Sequence, residues 1–104
     1  MAKKTRAKAK TRTIPFDPAE TLDTPEAIAE YLTAAFETDD PSFIAKAIGT
    51  AARARGMSEI AREAGLSREN LYRSLSGETK AEFSTIVRVL NALGVQLAAT
   101  PRAA

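Results

Sequence analysis

The chain has 104 residues, 15 Lys and Arg against 13 Asp and Glu, 44% hydrophobic residues, and no histidine, cysteine or tryptophan. One small domain fits that length, and a core drawn from Ala, Leu, Ile and Val suits a helical bundle rather than a β-sandwich. Without imidazole or thiol, zinc sites, Cys nucleophiles and Ser-His triads are excluded, no apolar run nears the roughly 18 residues of a membrane span, and a cytoplasmic, non-enzymatic protein without metal or cofactor is expected.

The net charge of +2 conceals a segregation along the chain. Residues 1–12 carry Lys3, Lys4, Arg6, Lys8, Lys10 and Arg12 without an acid, so a disordered basic arm is expected there, either a solubilising tail or a phosphate-tracking one. Residues 13–40 hold eight acids, Asp17, Glu20, Asp23, Glu26, Glu30, Glu37, Asp39 and Asp40, and no base. Among them stand Ile14, Phe16, Leu22, Ile28, Tyr31, Leu32 and Phe36, so this acidic segment can pack as well as repel. Residues 41–104 carry nine bases and five acids.

Thr24-Pro25-Glu26 reads as an N-cap, a proline at the first helical position and an acid on the positive end of the helix dipole. Ile28, Tyr31, Leu32, Ala35 and Phe36 then follow at helical spacing. Asp40-Pro41 repeats the start signal, and Ile44, Ala47, Ile48, Ala51 and Ala52 repeat the stripe up to a stop at Gly56. Arg53 and Arg55 in the last turn can serve the helix dipole or a phosphate.

Beyond Met57 the elements shorten. Ser58 is expected to cap a two-turn helix with Ile60, Ala61 and Ala64 inward, ended by Gly65. Ser67 caps the next, Leu66 and Leu71 stand at the two positions of a hydrophobic staple, Leu75 follows one turn on, and Gly77 closes the piece. Ser84 is expected to cap a last helix carrying Ile86, Val87, Val89, Leu90 and Leu93, which stops at Gly94. Val95, Leu97 and Ala99 then alternate with Gln96 and Ala98, the pattern of a short C-terminal strand.

Two short helices joined by Ala64-Gly65-Leu66-Ser67 match a helix-turn-helix, whose second helix enters the DNA major groove. Ala61 is small enough for a close crossing, Gly65 permits the positive φ of the turn, and Leu66 with Leu71 seals the pair into the core. With Leu71 and Leu75 inward, Arg68, Glu69, Tyr72 and Arg73 lie on the exposed side and Asn70 near its edge. Arg forks onto guanine, Asn onto adenine, and Glu accepts from cytosine, so these are candidate DNA-reading residues.

Residues 16–97 resemble antidote proteins of addiction modules, specifically HigA-like antitoxins with an XRE/Cro-type helix-turn-helix. The likeness rests on Phe16-Asp17, on Thr24-Pro25-Glu26 with Tyr31-Leu32, and on the stretch from Ala52 to Met57. It continues through the run from Ala61 to Tyr72 and ends with Ala92-Leu93-Gly94. The sequence departs from the family over residues 77–82, where Gly-Glu-Thr-Lys-Ala-Glu replaces an Asn-Pro-containing loop, which bears on phosphate contacts there, including Lys80.

The resemblance implies a lambda-repressor-like fold, a homodimer on a palindromic operator, repression of its own operon, and neutralisation of a RelE/ParE-like toxin. Ser58, Ser67, Arg68, Glu69, Asn70, Tyr72 and Arg73 inherit the DNA-binding positions. Such toxins tend to be basic, so the acidic segment 13–40 is the expected toxin-binding part, with Phe16, Tyr31 and Phe36 as anchors, although Tyr31 and Phe36 also suit the core. Residues 41–104 would then be the DNA-binding domain, and the protein nucleoid-associated when bound. The alternative is a standalone phage-type or chromosomal regulator of the same fold without a toxin partner.

Overall fold

The computed structural model describes residues 22–103, which form five helices and, among those residues, no strand. They are α1 (Pro25–Phe36), α2 (Pro41–Arg55), α3 (Met57–Ala64), α4 (Arg68–Ser74) and α5 (Phe83–Leu93). Phe16, the basic arm and the first part of the acidic segment lie outside the described residues.

The first two helices start as their sequences dictate. The Thr24 hydroxyl accepts from the Ala27 N–H at 3.1 Å, and Asp40 Oδ1 accepts from Ser42 and Phe43 N–H at 3.1 and 3.3 Å. Each bond satisfies an amide that the helix itself leaves free, and a proline follows each cap. Between the two helices the chain reverses through Asp39, whose φ of 56° lies in the left-handed region that Asp tolerates better than most residues.

Two expected caps are absent. The third helix begins at Met57, one residue before Ser58, with Gly56 in the cap position and no side-chain cap bond. Gly56 has φ 110° and ends α2 as well, so there is no room for a separate linker that would put Ser58 at the cap. Likewise α5 begins at Phe83 behind Glu82, again without a side-chain cap, and Ser84 falls inside the first turn. Both starts resemble a good cap in sequence, but in each the preceding apolar residue is itself the first residue of the helix.

One core gathers side chains from every helix: Ile28 and Leu32 of α1, Ile48 of α2, Ile60 of α3, Leu71 of α4, and Val89 and Leu93 of α5 are all essentially inaccessible. Within it α3 lies against α5 and α1 against α2, while α2 also touches α3 and α5. The fourth helix packs chiefly on α3, which leaves its other side to solvent. Thr85 takes an inward place in α5, whereas Val87, expected inward, is only half-buried and outside the core cluster.

The expected C-terminal strand does not form. Val95 packs on the core and donates to the Leu90 carbonyl at 3.0 Å, after which residues 96–103 run without regular structure. A strand exists only as part of a ladder, and the described residues contain no second strand to pair with.

Candidate nucleic-acid interface

The turn between α3 and α4 is set by backbone chemistry. Gly65 adopts φ 75° and ψ 32°, its N–H reaches the Arg62 carbonyl at 3.2 Å, and the Leu66 N–H reaches the Ala61 carbonyl at 2.9 Å. This nested pair satisfies two of the last four carbonyls of α3 and turns the chain sharply. Ser67 follows in extended conformation, and its hydroxyl accepts from the Asn70 N–H at 3.0 Å to open α4. Leu66 packs on the core ahead of the cap while Leu71 and Leu75 are buried behind it, so α4 is fixed in rotation.

That rotation exposes Arg68, Glu69, Asn70, Tyr72 and Arg73 on one surface. Four of the five are paired with one another. Arg68 lies over the Tyr72 ring, 5.5 Å from guanidinium carbon to ring centre, and donates to its hydroxyl at 3.3 Å. One turn on, Arg73 donates to the Asn70 side-chain oxygen. These are i,i+4 and i,i+3 contacts, the spacings at which helical side chains meet, and the first adds a cation–π attraction. The pairing bears on the reading of Asn70, because the oxygen that an adenine amino group would approach is already engaged by Arg73.

The remaining sequence candidates are dispersed. Ser58 is exposed in the first turn of α3 and makes no capping bond. Tyr31 and Phe36 are half-buried and pack against the core, each leaving part of its ring at the surface of α1. Arg55 donates to the Leu93 carbonyl at 3.4 Å, so it serves the C-terminal end of α5. Arg53 bonds the Thr50 hydroxyl at 3.1 Å within its own helix.

Several further contacts shape the surroundings of α4. Ser76 and Thr79 hydroxyls both donate to the Arg73 carbonyl, at 3.0 and 3.1 Å, closing the loop after α4 onto its last turn. The Ser42 hydroxyl donates to the Gly77 carbonyl at 2.8 Å and ties that loop to the start of α2. Arg88 of α5 reaches the α3–α4 turn, where a Cβ added at Gly65 would lie 3.7 Å from its guanidinium. The bond from Ser42 spans 35 residues and Arg88 belongs to a separate helix, so neither left a local signal in the sequence.

A family model described as "Probable addiction module antidote protein" matches residues 12–101. The chain belongs to that family. A Haemophilus influenzae protein described only as uncharacterized is 47% identical over 81 residues, which cover 78% of this chain and 84% of the relative. No solved structure matches. Membership of the antidote family points to a non-catalytic regulatory protein, an antitoxin whose partner in general is a toxin. No helix among the described residues of this antidote-family chain is long and apolar enough to cross a membrane.

Proposed function

We propose that this antitoxin is also a sequence-specific DNA-binding repressor of its own operon. The observation that supports the reading best is the exposed surface of α4: Arg68, Glu69, Asn70, Tyr72 and Arg73 project from a helix whose start is capped and whose opposite side is locked into the core. In this reading α3 and α4 are a helix-turn-helix of the XRE/Cro type and α4 enters the major groove. A single short helix offers too little contact for tight specificity, so the protein acts as a symmetric dimer with recognition helices about 34 Å apart. Ser67 faces the phosphates, and a RelE/ParE-like toxin binds the acidic segment that contains α1.

The deciding experiment is a salt-titrated binding assay of the purified protein on the DNA upstream of its own gene, against a scrambled duplex of equal length. Non-specific attraction depends on salt but not on sequence, so a preference of about 10³-fold or more supports the repressor reading. Equal binding to both duplexes, with and without the toxin present, rejects it.

A further inference from the structure

Phe83 opens α5 with 72% of its surface exposed, more than any other large apolar side chain among the described residues. One turn on, Val87 is half-buried and outside the core cluster, so the two form an apolar strip at i,i+4 spacing that the fold leaves uncovered. The strip adjoins the loop of residues 75–82, which is held in one shape from within. Ser76 and Thr79 hydroxyls donate to the Arg73 carbonyl, the Ser42 hydroxyl donates to the Gly77 carbonyl, and the Glu78 N–H donates to the Ser76 hydroxyl at 3.1 Å. Glu78, Lys80 and Glu82 of this loop are exposed, and the exposed Lys46 of α2 runs alongside Gly77, where an added Cβ would meet its Cγ and Cε at 3.0 and 2.8 Å. These two acids and two bases balance, and none of them forms an ion pair with another described residue.

We propose that this surface pairs two copies of the chain about a two-fold axis, with Phe83 and Val87 at its centre and Lys46, Glu78, Lys80 and Glu82 around them. A two-fold interface sets one patch against itself, so the patch has to be self-complementary, apolar groups meeting apolar groups and each charge meeting its opposite. The balanced rim around Phe83 meets that condition. Residues 22–40, with six acids and no base, would oppose like charges, and so would the α4 surface, where Arg68 and Arg73 outnumber Glu69. A neutral rim also gives a polyanion or a strongly basic partner no field to follow. Because the loop is already fixed by its own bonds, little ordering opposes association. The inference deepens the repressor reading and rests on it in one respect: the loop starts where α4 ends, so pairing here fixes the separation of the two α4 helices.

The test is sedimentation equilibrium of the full-length chain without DNA, where a patch this small is expected to give a dimer dissociation constant of about 1–100 μM. Phe83→Asp places like charges near the axis and is expected to weaken the dimer about 30-fold or more. It also puts an acid at the first residue of α5, where the helix dipole favours it, so an unchanged thermal melt of the monomer is expected. Lys80→Glu leaves the rim with three acids to one base, and Glu78→Lys with Glu82→Lys leaves it with four bases. Each of these two variants alone is expected to associate about tenfold more weakly, and an equimolar mixture to pair again. A wild-type chain still monomeric at about 1 mM, wild-type association of Phe83→Asp, or no gain on mixing overturns the surface. Preference for the upstream DNA in a chain that does not pair this way overturns the surface and leaves the repressor reading standing. Pairing as expected without any such preference overturns the repressor reading and leaves the surface.

Discussion

Asn70 illustrates how a residue's neighbours change its chemistry. By type it is an adenine reader, yet its side-chain oxygen holds the Arg73 guanidinium, which makes it a group that aims Arg73. Within the DNA-binding reading, Asn70→Ala is expected to lower affinity for the upstream DNA about tenfold and to relax specificity at the base step read by Arg73. The Asn70→Ala, Arg73→Ala double variant should lose little more than Arg73→Ala alone, because the two act as a unit. Additive losses in a titration over single-base variants of the DNA would show that Asn70 reads a base independently.

At the scale of elements, the α3–α4 pair is held by a few local devices whose contributions can be measured. Ser67→Ala removes the cap bond to Asn70 and is expected to cost about 1 kcal/mol in urea unfolding. Gly65→Ala meets ordinary space, 3.7 Å to Arg88, so its cost is the left-handed backbone alone, about 1–2 kcal/mol. Gly77→Ala adds a collision to the same strain, since its Cβ would come within 2.8 Å of both Ser42 Oγ and Lys46 Cε. It should therefore destabilise more than Gly65→Ala, and equal midpoints for the two variants would refute that ranking. Caps at Thr24, Asp40 and Ser67 were legible in the sequence because a cap is a contact over two or three residues. The supposed caps at Ser58 and Ser84 misled because Met57 and Phe83 are the first residues of their helices, which puts each serine inside the first turn.

Across the whole molecule, α1 belongs physically to the same core as the helices behind the candidate DNA surface, although its acidic sequence suggested a segment apart. Ile28→Ala in α1 and Leu71→Ala in α4 each empty a fully buried site and are expected to cost about 2–5 kcal/mol. Both should lower the midpoint of one cooperative transition followed by circular dichroism. A second transition that responds only to Ile28→Ala would mark residues 13–40 as an independent unit. Deleting residues 1–12, which removes six positive charges, should flatten the salt dependence of DNA binding if that arm neutralises phosphates, and leave the slope unchanged if it is a tail.

The amino-acid sequence alone determined most of the residues that turn inward, Val87 and Thr85 excepted, where three of the helices are capped and where Gly65 and Gly94 stop two of them, because each depends on contacts within a turn or two of the chain. It also marked Arg68, Glu69, Tyr72 and Arg73 as outward, since burial of Leu71 and Leu75 leaves them no other side. Tertiary structure decided what those side chains touch, that Arg88 and the Ser42–Gly77 bond flank the same region, and that residues 96–103 share a cleft with α1 instead of forming a strand. These outcomes depend on groups dozens of residues apart meeting in space, and a strand in particular depends on whether a second backbone is present to pair with it.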